Sequence, residues 1–98
     1  MTEKAPLTVR DNPEENRFEA VDESGVVAGV SAYRRYEDRI VFVHTEVDDA
    51  FEGRGVGSTL VEKSLDAVRG EGLRVVAQCP FVKSYLEDHP EYADLTAG

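Results

Sequence analysis

Apolar residues in this chain follow two rhythms, and the rhythm changes once. Up to residue 47 they recur at about every second position, and from residue 56 to 68 they recur every three or four. The first period is that of strands with one inward face, and the second that of a helix with one inward stripe. Residues 7–10 alternate and form a candidate edge strand, which the turn signal Asp11-Asn12-Pro13 should stop. Phe18, Ala20 and Val21 mark a short strand over residues 16–22, followed by a hairpin turn at Asp22-Glu23-Ser24-Gly25. Residues 26–36 set Val26, Ala28, Val30 and Ala32 on one face, and Val27, Ser31 and Tyr33 on the other. A second turn at Glu37-Asp38 leads into residues 39–47. Strict alternation there puts Ile40, Phe42, His44 and Glu46 on one face, and Val41, Val43, Thr45 and Val47 on the opposite one.

Beyond Gly55, the residues Val56, Leu60, Val61, Leu65 and Val68 form a helical stripe, with Glu62, Lys63, Asp66 and Arg69 on the wet side. Gly70 and Gly72 supply the stop. Residues 73–79, LRVVAQC, read as a strand reached by a strand–helix crossover, so they should run parallel to residues 39–47. Pro80 suits the first turn of a helix over residues 81–88, which His89-Pro90 ends. Tyr92 and Leu95 should fold back as a last anchor. The expectation is one α+β domain over residues 7–98, after a loose terminus at residues 1–6. It has a bent, mainly antiparallel sheet with one parallel pair, packed by two helices.

The change of rhythm falls in FVHTEVDDAFEGRGVGST, residues 42–59. Gly53, Gly55 and Gly57 open the helix, and glycine leaves backbone N–H groups uncovered. Those groups stand where the helix has unpaired donors and the positive end of its dipole, a place for phosphate or pyrophosphate. Two familiar phosphate loops do not fit. A triphosphate loop needs lysine after its last glycine, and Ser58 follows Gly57. A dinucleotide fingerprint needs a sixth-position glycine, where Ser58 or Leu60 stands, and an early parallel unit in place of these antiparallel strands. The plain alternative is a tight turn. Glycine is worse than alanine in a helix by about 1 kcal/mol, so three of them are a heavy load for a turn alone.

Composition narrows the partners. The net charge of -9 argues against nucleic acid and weakly favours a cationic partner such as a protonated amine. No apolar run is long enough for a bilayer or resembles a secretory leader, so a cytoplasmic location is the default expectation. One cysteine, Cys79, leaves no internal disulfide framework. His44 and His89 are the only histidines and lie far apart in sequence, so no metal site is expected.

Glu52–Gly57, EGRGVG, resembles the acyl-coenzyme A loop of the GNAT superfamily of N-acetyltransferases, and the order of elements around it is similar too. The resemblance is closer to a branch of short GNAT-like acetyltransferases. It rests on HTEV at residues 44–47, GRGVG at 53–57, QCPFV at 78–82 and YLEDHPEY at 85–92, and it spans residues 16–95. Glu52 departs from the glutamine or arginine usual there, which bears on a side-chain contact to phosphate and not on the backbone cradle. The resemblance implies acetyl-CoA as co-substrate, with its pyrophosphate on the amides of Glu52, Gly53, Arg54, Gly55, Val56, Gly57 and Ser58. It places the pantetheine arm past Val47, in a cleft where the two parallel strands splay apart. Arg54 is either a charge near the phosphates or a solvated loop residue.

Acetyl transfer to an amine needs a base, donors for an oxyanion and a proton for the departing thiolate. His44 carries an imidazole, which titrates near neutral pH, and Glu46 is an equally plausible base; the bland reading of both is a solvated or core-edge position. Cys79, just before Pro80, stands at a candidate helix N-cap that would favour a thiolate. The short branch suggests that it pairs with His44 and accepts the acetyl group, while its bland reading is a small buried hydrophobe. Tyr85 falls where many GNAT enzymes carry the tyrosine that protonates the leaving thiolate, and otherwise packs the helix. The short chain implies an open acceptor side, suited to a protein or peptide amine or completed by a partner chain. A coenzyme A-binding sensor with little turnover and a purely structural domain are the alternatives.

Overall fold

The computed structural model describes residues 7–51, 53 and 55–96. The expected loose terminus at residues 1–6 and the candidate coenzyme contacts Glu52 and Arg54 lie outside the described residues. The elements follow in the order β1 (Leu7–Asn12), β2 (Arg17–Asp22), β3 (Val27–Arg35), β4 (Arg39–Val47), α1 (Val56–Glu71), β5 (Arg74–Ala77), α2 (Pro80–Asp88) and α3 (Ala93–Thr96). Short 3-10 turns at Asp49–Phe51 and Pro90–Tyr92 precede α1 and α3.

The five strands lie side by side in chain order. β1 to β4 form an antiparallel meander, and β5 pairs parallel with β4, as the crossover through α1 requires. Two expectations needed adjustment at the ends. β1 continues through Asp11 and Asn12, because both residues still pair with β2, so the turn begins two residues later, at Pro13. The terminal anchor is a third short helix: Tyr92 and Leu95 are buried, the Tyr92 hydroxyl donates to Asp66 on α1, and Arg69 on α1 bonds Asp94.

The strand faces are where simple alternation failed. Ala32 pairs with His44 and Tyr33 with Phe42, which leaves Val43 as an extra residue, a β-bulge in β4. Ala20 pairs with Gly29 and Val21 with Val27, so Ala28 is a second bulge in β3. Each bulge reverses the phase of the residues after it. Ile40 and Phe42 therefore face the core, but past the bulge Thr45 and Val47 share that side, and His44 and Glu46 turn to the opposite, open face. In β3, Gly29, Ser31 and Tyr33 take the core side, and Val30 and Ala32 the open one.

The core lies between the sheet and α1. Phe18, Ala20, Tyr33, Ile40 and Phe42 from the strands meet Leu60, Val61, Leu65 and Val68 from α1, all nearly inaccessible to water. Gly29 matters here: a Cβ on it would lie 3.1 Å from Val56 and 3.6 Å from Leu60, so its bareness lets α1 sit close to β3. The open face has its own fixed point. Glu19 is 1 % exposed, and its carboxylate accepts bonds from Arg10, Asn12 and Arg17. Burial opposes its ionisation, but those hydrogen bonds and the charge of Arg17 prevail and hold its pKa at about 2.

Candidate active site

The corner between β4 and α1 is built from backbone. Gly53 and Gly55 have φ of 79° and 73°, in the left-handed region that other residues enter only with strain. Gly55 is the N-cap of α1, and no side chain among the described residues caps the helix. The first intrahelical bond runs from the Thr59 N–H to the Gly55 carbonyl. The amides of Val56, Gly57 and Ser58 are thus the uncapped donors at the positive end of a 16-residue helix.

Gly57 is glycine for a different reason. It is helical, and a Cβ on it would lie 2.6 Å from the tip of the Phe81 ring, which reaches over from α2. Phe81 is 43 % exposed, an unusual position for so large an apolar ring. Together with Val47, Phe51, Gly53, Gly55 and Ser58 they line an open cavity of about 240 Å³.

A second feature adjoins this corner. β4 and β5 stay paired only as far as Phe42 and Ala77. The amides of Gln78 and Cys79 both donate to the Phe42 carbonyl, and β4 then runs on to Val47 without β5 beside it. The two parallel strands therefore part at their C-terminal ends. The Asp48 amide donates to Ala28 on β3, so by alternation along β4 the backbone groups of Thr45 and Val47 point toward this gap.

Side chains close the gap on the core side. Cys79, the N-cap of α2, is 2 % exposed, and its thiol donates to the Thr45 hydroxyl at 3.3 Å. Thr45 also shares a 3.1 Å hydrogen bond with Ser31, which is wholly buried. Ser31, Thr45 and Cys79 form a line of hydroxyl and thiol groups from the interior to the gap.

The other predicted residues lie elsewhere. His44 and Glu46 form an ion-pair contact of 3.1 Å on the open face, their side chains 62 % and 69 % exposed. The bulge puts them across the sheet from Cys79, whose thiol is hydrogen-bonded to Thr45. Tyr85 stacks on His89 with ring centres 3.8 Å apart, and the His89 Nδ1 lies 2.8 Å from the Tyr85 carbonyl oxygen. Burial, and then the charges of Glu62, Glu91 and Asp66, push the Tyr85 phenol up and keep it protonated.

Thr45, Ser31 and Phe81 were not picked out from the sequence. Thr45 and Ser31 look like ordinary strand residues until the bulges fix their side of the sheet. Phe81 reads only as the start of a helix. The one available signal was a glycine at 57 that the turn itself did not require.

Among the described residues, no group of three or more potential ligands is placed to hold a metal ion, and no helix is long and apolar enough to cross a membrane.

Comparison with known proteins gives this geometry a context. A family model described as GCN5-related N-acetyl-transferase matches residues 17–95. "Protein NATD1" of Homo sapiens is 37 % identical over 62 residues, covering 62 % of this chain and 55 % of that protein. Its Xenopus tropicalis counterpart is 38 % identical over 47 residues, 48 % of this chain and 43 % of that one. The aligned part is thus about half the length of these curated relatives.

A solution structure of a GCN5-like candidate N-acetyltransferase from Staphylococcus aureus superposes with a TM-score of 0.69 at 30 % identity, over 94 % of this chain and 89 % of that one. The crystal structure of a candidate phosphinothricin N-acetyltransferase gives 0.56 at 26 %, over 90 % of this chain and 53 % of that one. With the meander, the glycine corner, the parting parallel strands and a family match over most of its length, this chain belongs to the GCN5-related N-acetyltransferase family.

Proposed function

We propose that the protein binds acetyl-CoA and transfers the acetyl group to an amine. The observation that carries this reading is the continuity of three features along β4. Uncapped amides at the start of α1 suit the diphosphate. Val47 and Phe81 line the cavity beside them, where the pantetheine arm would pass. Thr45 and Cys79 follow in the gap between β4 and β5, where the thioester would lie.

In this reading donor and acceptor approach the gap from opposite faces of the sheet. The coenzyme arrives on the α1 side and the amine on the open side, where His44 and Glu46 stand exposed as a pair. Glu46 would hold the imidazole, and His44 would take the proton that the attacking amine must lose. Backbone N–H groups facing the gap from β4 would serve the oxyanion. Direct attack needs no rearrangement of the buried thiol. The acceptor class is an amine on a protein or peptide, because the open face has room for a large substrate and the net charge of -9 favours a cation.

A second reading has Cys79 carry the acetyl group, and its place at the N-cap of α2 favours that. Incubation with acetyl-CoA and a panel of amines and peptides, reading free thiol release, tests the activity. Calorimetry with acetyl-CoA tests binding apart from turnover. Absence of binding would end the proposal, and binding without release would leave a coenzyme sensor.

A further inference from the structure

If the protein transfers acetyl groups as proposed above, the departing coenzyme thiolate needs a proton, and the Ser31–Thr45–Cys79 line bears on where it comes from. A cysteine acts as nucleophile only as a thiolate, which requires a neighbouring base or a strongly electropositive setting. Here the thiol donates its hydrogen to a threonine hydroxyl. A hydroxyl is not a base that could take that proton away. The imidazole and carboxylate that could serve are His44 and Glu46, and the bulge at Val43 has turned both to the other face of the sheet. Pro80 at the first position of α2 also lacks the N–H that an N-terminal site would otherwise offer.

We infer that Thr45 is a positioning residue that holds Cys79 by its thiol hydrogen beside the β4–β5 gap, so that the thiol serves as the proton donor to the leaving coenzyme and not as an acetyl carrier. When the tetrahedral adduct collapses, its C–S bond breaks and the electron pair goes to the coenzyme sulfur. The Cys79 S–H bond breaks as a new S–H bond forms on that sulfur. The Thr45 hydroxyl then turns from accepting to donating and steadies the Cys79 thiolate, while Ser31 holds Thr45 in place through the reversal. Water returns the proton to Cys79 before the next turnover, and no oxidant or reductant is consumed.

The arrangement also gives Tyr85 a plainer role. Its ring is engaged with His89 and lies 6.2 Å from that of Tyr92, so it braces α2 against the terminal anchor.

The test uses the whole chain with acetyl-CoA and whichever amine of the panel supports thiol release. Thr45→Val should lower kcat about tenfold with KM for acetyl-CoA unchanged, and Thr45→Ser should restore most of it. Cys79→Ala, which removes the proposed donor, should lower kcat at least as much as Thr45→Val, with KM for acetyl-CoA unchanged. Mass spectrometry of the wild type with acetyl-CoA and no amine should find Cys79 unacetylated. An acetyl group on Cys79 that forms and decays as fast as turnover would overturn the inference, as would Thr45→Val with unchanged kcat. Denaturation midpoints of each variant separate loss of fold from loss of chemistry. A wild type that binds acetyl-CoA but acetylates no amine would sink the activity itself, and the inference with it. Normal wild-type turnover with an indifferent Thr45 sinks the inference alone.

Discussion

The glycine corner and the β4–β5 gap adjoin one another, yet they are made of different material. The corner is backbone: three glycines, two of them left-handed, and a helix start that no side chain among the described residues caps. The gap is side chain: Thr45, Ser31 and Cys79 on one face, His44 and Glu46 on the other. A backbone site depends on chain path alone, so it tolerates changes that leave the path intact. A side-chain site depends on which face each residue takes, and one bulge at Val43 decides that for all of them. The family relationship rests on both, but the corner should dominate binding and the gap should dominate chemistry.

The sharpest break of this comparison is Gly57→Val. A branched side chain would press into the Phe81 ring, where even a single Cβ has 2.6 Å. Acetyl-CoA affinity measured by calorimetry should fall about a hundredfold, roughly 2.7 kcal/mol. Unchanged affinity would remove the corner from coenzyme binding.

Gly55→Ala is next. Forcing alanine to a φ of 73° should destabilise the fold by about 1–2 kcal/mol in urea titration, with weaker coenzyme binding as the turn shifts. A variant as stable as the wild type would mean that the corner is less constrained than its dihedrals imply.

Acid should act on the open face at β1 and β2, away from the gap, and not on backbone amides, which do not titrate. Glu19 has its carboxyl lowered from 4.5 to about 2. Its contribution is therefore fully present above about pH 4.5 and fades as pH falls toward 2. Allowing for the solvent exposure of its arginine partners, about 1–2 kcal/mol should be lost across that window, and Glu19→Gln should flatten the loss. Equal pH profiles for the two proteins would count against the ionised cluster.

The smallest effect on folding belongs to His44→Ala. The pair with Glu46 is exposed, so stability should change by no more than about 0.5 kcal/mol. Turnover should fall all the same, by about a hundredfold if the imidazole is the base. Undiminished turnover would take His44 out of the chemistry and leave the α1 side of the gap as the whole reacting centre.

Most of the scaffold was legible because it depends on local rules. The switch from period two to period 3.6 at Gly55 gave α1, the strand–helix crossover gave the parallel β5, and Pro80 gave the start of α2. Glycine spacing alone pointed to the corner. The reacting side chains were harder to read. Strict alternation put His44 beside Phe42, and the extra residue at Val43 put Thr45 there instead. Val43 carries no glycine or other local mark that announces a bulge. The third helix was also hidden, because residues 93–96 are too short to show a helical period; contacts with α1 hold them.

By itself the sequence determined where the five strands and the first two helices lie and where the chain must bend left-handed, since propensity, periodicity and the lack of a Cβ act within a few residues. Only the tertiary structure decided which face of β4 each side chain takes, that Cys79 meets Thr45 and not His44, and that Phe81 rests on Gly57. Those outcomes depend on pairing across strands and on helices packed from distant parts of the chain, and a one-residue slip in such pairing reverses every face that follows it.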